Sequence, residues 1–341
     1  MHMNKNSFFL LSSEQQAMVL NQASPKIGLP PQAIEKDVWV STILQLVFTM
    51  PFADKLIFKG GTSLSKVWGV INRFSEDIDL AVDRSLYNLD GDLTKKEIKK
   101  LRKASSIFVR EQFAAELQTK IEEYGLAELC TIEVEPDGEG DRTYPEPRKI
   151  FIRYKSALAD VADYLKPVVM LEIGSRSLFE PNEKCHIQSM LEKQFPSIQT
   201  SLVDAQVTTS IPGKTFLEKV FLIHELFSVE GHGVRAERKS RHLYDLYRMM
   251  NMDFAVKATS DDLLWESIRH HREIFTSVRG MNYAPDVRKR MLLVPRPDII
   301  DVWKSDYEAM METMIYGDKP SFDALISSMA ELQERFRNNC S

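Results

Sequence analysis

The stretch FKGGTSLSKVWGVINRFSEDIDLAV, residues 58–82, says more about the fold of this chain than any other part. It reads as the end of an apolar strand, a double-glycine turn, a short helix near 62–70 and an acidic strand at 77–82. Residues two apart on a strand point to the same face, with Cα atoms about 6.5 Å apart. Asp77 and Asp79 are therefore predicted to project together, while Ile78, Leu80 and Val82 point to the opposite side.

The acidic pair and the glycine turn together predict a site for a metal and a polyphosphate. Two adjacent carboxylates repel each other, so a fold that keeps them side by side usually has a cation between them. Oxygen ligands favour Mg²⁺ or Mn²⁺, and Mg²⁺ is commonly held by one or two carboxylates and by substrate phosphates. Gly60 and Gly61 would let a polyphosphate approach backbone N–H groups at the start of a helix. The combination indicates nucleotidyl transfer.

The glycine turn also has a plainer interpretation, in which GGTS is a tight turn with no ligand. It is not a P-loop, because the pattern GxxxxGK[ST] is absent. Ser63 lies beside the glycines and could donate a hydrogen bond to a phosphate. Lys66 could reach a phosphate or could be an exposed surface lysine.

Glu172 is the natural third carboxylate of such a site. The segment 167–173 reads as a buried strand with this single acid between Leu171 and Ile173. Nucleotidyl transfer with two cations about 3.5–4 Å apart needs several acidic ligands. The alternative is a strand-edge glutamate that forms an ion pair with Arg176 or Arg153.

Lys219 and Asp245 lie on consecutive predicted helices. Lys219 stands at the border of an apolar face, where a partly buried ammonium group needs a partner or a ligand such as a triphosphate. Asp245 shares a helix face with Arg241 and Arg248. The plainer interpretation of Asp245 is a surface ladder of salt bridges, each contributing about 0.5 kcal/mol or less.

Composition sets the broad class of the protein. The chain has 341 residues, 43% hydrophobic and 27% charged, and a net charge of −5, which does not indicate a generally basic nucleic-acid binder. Cys130, Cys185 and Cys340 are far apart in the sequence and are interpreted as reduced thiols of a cytoplasmic protein. No signal peptide and no long apolar run are found, so no membrane span is expected. Met1–Met3 looks like a cloning remnant.

A basic run begins the helical stretch at 93–124. The bland interpretation is a solvated helix face, and the sharper one is a surface that contacts RNA phosphates. The residues of this run are Lys95, Lys96, Lys99, Lys100, Arg102 and Lys103.

The rest of the chain divides near residue 210 into a mixed α/β part and a helical part. Helical patterns cover 12–22 and 31–49 before the glycine turn, and strand patterns cover 55–59, 129–135, 149–154, 167–173 and 202–209. After Pro212 the predicted elements are helices, at 214–229, 236–251, 261–276, 304–315 and 321–337. The fold class expected from this layout is α/β in the α+β sense.

Five motifs in this order resemble the AbiEii/AbiGii-type toxin nucleotidyltransferases. They are GGTSLSK, RFSEDIDL, LEIG, FLEKV and SRHLYDL, and the resemblance covers about residues 30–250. It implies a polymerase-β-like nucleotidyltransferase domain with a mixed sheet, followed by a helical domain. Together with the layout of the predicted elements, this gives a helical extension at 1–30, the nucleotidyltransferase domain at 31–210 and the helical domain at 211–341. The resemblance also implies a toxin that is neutralised by a cognate antitoxin.

The resemblance assigns roles to individual residues. Asp77 and Asp79 would bind Mg²⁺ (or Mn²⁺) together with Glu172, which stands where an aspartate is common in the wider superfamily. Lys219 would contact the NTP phosphates, and Asp245 matches the last acidic position of the family. His242 is a second-tier candidate, since some members carry an acid at its position. The residues expected to line the nucleotide site are Gly60, Gly61, Thr62, Ser63, Lys66 and Ser75.

The leading hypothesis is a Mg²⁺-dependent toxin that transfers NMP from an NTP to an RNA acceptor, the 3′ end of tRNA. One alternative is a protein that binds GTP or another NTP for regulation and transfers nothing. Another is NMP transfer to a hydroxyl of a protein or a small molecule. The preferred NTP, the number of nucleotides added, the identity of the antitoxin and the oligomeric state are not set by the sequence.

Overall fold

The computed structural model describes residues 7–140, 143–159 and 165–338. They divide into two compact units, Met1–Val67 with Ser75–Thr209, and Trp68–Phe74 with Ser210–Ser341. The separation into an extension at 1–30 and domains at 31–210 and 211–341 stays a prediction. The expectations for Met1–Met3 and Cys340 lie outside the described residues, whereas Cys130 and Cys185 carry free thiols.

A mixed seven-stranded sheet runs through the described residues, with the strand order β3-β4-β5-β2-β1-β7-β6. In this sheet β1 is antiparallel to β2, β2 is parallel to β5, and β4 is antiparallel to both β3 and β5. The central strands carry apolar side chains that are fully buried and belong to the core of the first unit. The strands are β1 Leu56–Lys59, β2 Ile78–Val82, β3 Cys130–Val134, β4 Arg148–Tyr154, β5 Val168–Gly174, β6 Asn182–His186 and β7 Gln206–Ser210.

The strand β6 is absent from the sequence prediction. It lies at one end of the strand order, and its sequence NEKCH is polar, with Glu183 and Lys184 exposed. An edge strand with charged side chains lacks the apolar alternation by which strands are predicted from sequence. The sequence predicts a strand at 202–209, but the observed strand β7 is shorter and begins only at Gln206.

Six helices of the described residues accompany the sheet in the first unit. Ser12 begins α1 with a capping box, in which its side chain accepts from Gln15 N–H and the Gln15 side chain accepts from the Ser12 N–H. The helix α2 is buried from Ala33 to Val47, which is why its apolar residues do not form a single stripe. These helices are α1 Ser13–Ile27, α2 Pro31–Val47, α3 Gly60–Lys66, α4 Lys95–Phe108, α5 Ala114–Glu123 and α6 Met190–Gln194.

The second unit is helical in its described residues. Its short segment Trp68–Phe74 is held by a hydrogen bond from Phe74 N–H to Met314 O (2.7 Å) and by an antiparallel bridge between Arg73 and Ile315. The helices are α7 Pro212–Ser228, α8 Ser240–Met249, α9 Asp253–Ser260, α10 Asp262–His271, α11 Ile300–Thr313 and α12 Phe322–Asn338. The expected α/β class with a helical C-terminal part is thus confirmed. Among the described residues, the helices are all too short or too polar to cross a membrane.

A buried histidine of α7 predicts how stability depends on pH. Burial, and then the nearby charges of Arg290 and Arg337, lower the pKa of His224 to about 4. Its Nδ1 accepts a hydrogen bond from Leu292 N–H (3.0 Å), which the neutral ring can do. Between pH 4 and 6.5 the unfolded chain binds the extra proton, so stability is present at higher pH and falls on acidification.

We expect His224→Gln to make the stability of the protein less sensitive to acid. The wild type should lose about 3 kcal/mol through this group between pH 6.5 and 4, and the variant should not. Urea unfolding at several pH values measures the difference. Equal slopes for the two proteins in this window would contradict the account.

Candidate active site

The acidic strand and the glycine turn are brought together at one point of the sheet. Lys59, the last residue of β1, is the register partner of Asp79 on β2. The next residue, Gly60, has φ +79°, and a Cβ at this position would collide with the Asp79 carboxylate. Only glycine combines this left-handed backbone with the missing side chain, so Gly60 lets the carboxylate lie against the turn.

A row of four charged side chains crosses the sheet at this level. Glu172 on β5 is the register partner of Asp79, and Lys149 on β4 is the register partner of Glu172. Residues paired in this way project to the same face, so two carboxylates stand between two lysines, the second being Lys59. Glu172 forms its ion pair with Lys149 (3.1 Å), whereas Arg176 and Arg153, the partners that the alternative interpretation named, pair with Glu146 and Glu133.

Thr62 connects the glycine-turn helix to the segment before β2. Its side chain is buried, donates a hydrogen bond to the Asp77 carbonyl oxygen (2.5 Å) and lies 2.9 Å from the Ser75 hydroxyl. Ser63 is also buried, and its hydroxyl donates to the Gly60 carbonyl oxygen (2.8 Å). Both hydroxyls therefore hold the local backbone in place.

The carboxylates at this place suit a hard divalent cation by their chemistry. Asp77 lies one residue before β2, and both it and Asp79 are partly exposed. Oxygen donors of this kind favour Mg²⁺ or Mn²⁺. In the described part of the chain, however, no three His, Cys, Asp or Glu side chains are arranged to hold a metal ion. Metal binding by Asp77, Asp79 and Glu172 stays a prediction, with Asp77 and Asp79 as its basis.

Lys66 lies at the end of α3 and has protein partners. It is buried, and its ammonium group contacts the Asp37 carboxylate (2.5 Å) and the Ser41 hydroxyl (2.7 Å) on α2. Burial is the main cause that lowers the pKa of Lys66, and the negative charge of Asp37 opposes this shift. These contacts account for the buried position of Lys66 without a nucleotide.

Lys219 and Asp245 meet in the second unit. Their charged groups are 2.9 Å apart, and Arg73 donates two hydrogen bonds to the same carboxylate, at 2.7 and 2.8 Å. Asp245 is 0% exposed, so the interpretation of this residue as part of a surface ladder with Arg241 and Arg248 is wrong. The buried ammonium group of Lys219 thus has the partner that the sequence argument required.

The charges of this cluster set its protonation. Burial opposes ionisation of Asp245, but the positive charges of Arg73 and Lys219 outweigh burial and lower its pKa. Burial and then the charge of Lys219 hold the pKa of His242 well below its usual range. The Lys219 ammonium group lies 3.2 Å from His242 Nδ1, to which it can donate because the ring is neutral. The cluster keeps a negative carboxylate and a neutral imidazole at neutral pH.

Several residues of these clusters, described separately in each unit, were missed by sequence reasoning. Arg73 is the chief partner of Asp245 and is 172 positions away from it, so no local pattern links the two. Lys59 stands directly before the glycine turn. Its position next to this turn is the only feature of the sequence that could have marked it as a candidate. The charged tripeptide Glu35–Lys36–Asp37 lies inside a mostly apolar helix, and this interruption is a signal that could have been read.

Comparisons with known proteins bear on the identity of the chain. A solved structure of MenT4, a nucleotidyltransferase toxin from Mycobacterium tuberculosis H37Rv, matches with a TM-score of 0.45 and 15% sequence identity, covering 97% of this chain and 100% of that chain. A comparison with curated proteins found no match. The family described as nucleotidyl transferase AbiEii toxin, type IV TA system, matches residues 43–328. This match spans most of the 341 residues, and the chain therefore belongs to the AbiEii family of nucleotidyltransferase toxins.

Proposed function

We propose that the protein transfers NMP from an NTP to the 3′ hydroxyl of an RNA, with tRNA as the preferred acceptor and Mg²⁺ as the metal. The observation that carries the proposal is the contact of the Asp79 carboxylate with Gly60. It joins an acidic group and a glycine turn, the two parts that a metal-bound triphosphate needs. Family membership supports the nucleotidyltransferase class, and the acceptor and metal go beyond it.

The chemistry follows from the charges at this place. Asp77 and Asp79 would hold the divalent cation, which when bound neutralises the triphosphate. The turn at Gly60 and Gly61, with Thr62, Ser63 and Ser75 around it, would receive the phosphates. The acceptor oxygen would form a bond to the α-phosphorus as the bond to pyrophosphate breaks, and Glu172 or a metal-bound aspartate would accept the hydroxyl proton. Positioning and charge stabilisation would supply most of the rate.

The second unit contributes candidates whose contact with the nucleotide stays a prediction. Lys219 would neutralise charge on the leaving pyrophosphate, as the family resemblance implies. Asp245 and Arg73 fix the direction of the Lys219 side chain through the buried ion pairs. His242 accepts from the same ammonium group and would share this positioning role.

The RNA acceptor is supported by an exposed basic face on α4. Lys95, Lys96, Lys99, Lys100 and Lys103 are exposed, and Leu101 of the same helix is buried. Lys96, Lys99 and Lys103 follow the spacing of one helical face. Five lysines on one exposed helix suit a phosphate backbone, although the net charge of the chain is negative.

We expect reversal of charge on this face to weaken RNA binding without changing NTP binding. The triple variant K96E/K99E/K103E should lower tRNA affinity about tenfold or more at low salt and should flatten its salt dependence. The control K257E/K289E/K304E makes the same change in net charge at other exposed lysines. Filter binding against salt concentration is the measurement. Equal tRNA affinity in the two variants would remove this argument for RNA.

Two other functions remain as competitors. A regulatory protein would retain bound GTP or another NTP without turnover. A different transferase would place NMP on a hydroxyl of a protein or a small molecule. Incubation with labelled NTPs, Mg²⁺ and either tRNA, cell protein or small molecules separates them, since the label enters RNA only under our proposal.

The toxin family implies a cognate antitoxin that counteracts the effect of this protein. We infer that toxin and antitoxin work in the cytoplasm, where NTPs and tRNA are available. Expression of the toxin alone should stop growth, and co-expression of the antitoxin should restore it. Normal growth with the toxin alone would contradict the proposed role.

A further inference from the structure

Three consecutive charged residues are buried on α2. Glu35, Lys36 and Asp37 are only 2%, 5% and 5% exposed, in a helix whose other residues from Ala33 to Val47 are mostly apolar. Burial of one unpaired charge is costly, so each of the three needs a partner. Each finds it in a different element of the first unit.

Lys36 holds the segment that precedes the acidic strand. Its ammonium group contacts the Glu76 carboxylate (2.5 Å) and donates to the Lys166 carbonyl oxygen (3.1 Å). Glu76 stands between Ser75 and Asp77 in the chain. This contact therefore holds the backbone just before Asp77. The hydrogen bond from Thr62 to the Asp77 carbonyl oxygen holds the backbone just after it.

Asp37 holds the helix of the glycine turn. One carboxylate oxygen pairs with Lys66 (2.5 Å), the last residue of α3, and the other accepts from Met190 N–H (2.6 Å) at the start of α6. Because α3 is only seven residues long, an ion pair at its end constrains the turn at its beginning. Neighbouring residues on a helix point about 100° apart, which lets Lys36 and Asp37 reach different elements.

Glu35 completes the set on a third side. Its carboxylate accepts from the Ser156 hydroxyl (2.6 Å) and from Ala157 N–H (2.7 Å), directly after β4. Burial raises the pKa of Glu35, and the two hydrogen bonds oppose this shift. The strand β4 also carries Lys149, the partner of Glu172.

Stability alone is a weak reason for such an arrangement. Buried ion pairs often contribute no more to stability than well-packed apolar side chains of similar volume. They do impose a fixed geometry, because a displaced partner leaves a buried charge uncompensated. Here the partners of Lys36 and Asp37 lie on the two pieces of chain, 60–66 and 75–77, that meet at the candidate site.

We propose that Lys36 and Asp37 are positioning residues, which set the acidic segment and the glycine turn for metal and nucleotide binding, while Glu35 beside them holds the chain that follows β4. This inference rests on the proposed function. It assigns different effects on binding to the contacts that Lys36 and Asp37 make. The Lys36–Glu76 contact governs metal affinity through the Asp77 backbone, and the Asp37–Lys66 contact governs NTP affinity through the turn.

The metal half is tested by Mn²⁺ titration, with free Mn²⁺ followed by electron paramagnetic resonance in the absence of nucleotide. Lys36→Met and Glu76→Gln should each weaken Mn²⁺ binding about 10- to 100-fold, as is typical of outer partners of metal ligands. The double variant should lose no more than the worse single variant, because both remove one contact. Lys36→Arg should recover most of the affinity.

The nucleotide half is tested by the kinetics of transfer. Asp37→Asn and Lys66→Met should raise KM for the NTP several-fold with a smaller change in kcat. Glu225→Gln is the matched control, since it weakens a buried carboxylate pair with Arg272 that has no residue at the candidate site. It should leave both KM and Mn²⁺ affinity unchanged.

The outcomes separate this inference from the function on which it rests. Wild-type protein that binds Mn²⁺ and transfers label, with Lys36→Met and Glu76→Gln binding Mn²⁺ equally well, overturns the positioning role alone. Wild-type protein that neither binds Mn²⁺ nor transfers label overturns the proposed function itself. If Lys36→Met does not fold, Glu76→Gln decides, because its side chain is partly exposed and its loss is better tolerated.

Discussion

Replacing Asp79 by asparagine is expected to abolish nucleotidyl transfer while leaving the fold intact. Asparagine has nearly the same shape but lacks the charge that a divalent cation requires. Loss of such a ligand removes several kcal/mol of charge stabilisation, which corresponds to about 10³-fold in rate. The measurement is incorporation of labelled NMP into tRNA, together with growth inhibition on expression of the variant.

The control for this variant is Asp204→Asn, which makes the same chemical change at an exposed aspartate that pairs with His186. It should keep full activity and toxicity. Unfolding midpoints of both variants should stay near that of the wild type, since Asp79 is partly exposed. Full transfer by Asp79→Asn would mean that the acidic strand is structural and that the metal site lies elsewhere.

Gly60→Ala is expected to be nearly as damaging, for a steric reason. The backbone at Gly60 has φ +79°, which costs a residue with a Cβ about 1–2 kcal/mol, and the added methyl would collide with the Asp79 carboxylate. The carboxylate or the turn must shift, and either movement separates the two parts of the site. We expect kcat/KM to fall at least about 100-fold, because misplacement of this size costs that much.

The chain offers a matched control for the strain at Gly60. Gly28 ends α1 with the same φ of +79°, but a Cβ there would meet no atom within 4 Å. Gly28→Ala should therefore lose about 1 kcal/mol of stability and no activity. If Gly60→Ala behaved like Gly28→Ala, the close approach of Asp79 to the turn would have no part in catalysis.

The strand, turn and strand around Gly60 could be predicted because their signals are local. Ile78 and Leu80 alternate with Asp77 and Asp79, and two glycines mark the turn between β1 and α3. The helix after the turn, predicted near 62–70, is observed at Gly60–Lys66. It therefore begins two residues earlier and ends four residues earlier than predicted. The chain leaves α3 after Lys66, where the ammonium group enters its buried pair with Asp37.

The environment of Asp245 could not be predicted, because its partner is distant in sequence. A helix pattern shows only neighbours three or four residues away, and these were Arg241 and Arg248. The actual partner, Arg73, comes from the segment Trp68–Phe74, which joins the second unit although it lies within the first part of the chain. Long-range ion pairs of this kind follow from topology and not from periodicity.

The charged residues of α2 show a different limit. The apolar residues of this helix predict it, but the burial of Glu35, Lys36 and Asp37 is not expected, since charges on a helix are usually exposed. Their burial depends on three partners that lie at least 29 positions away in the chain. A run of charges inside a mostly apolar helix is nevertheless a usable sign of buried ion pairs.

The most direct test of the central claim is the fate of the label in paired reactions with NTP labelled at the α- or the γ-phosphate. Purified wild-type protein, Mg²⁺ and tRNA are used in both, and tRNA oxidised with periodate serves as the acceptor that lacks a free 3′ diol. Transfer of NMP to the 3′ end predicts label in RNA from the α-position alone, and none in oxidised tRNA. Label from the γ-position, or no label in any RNA, would contradict the account.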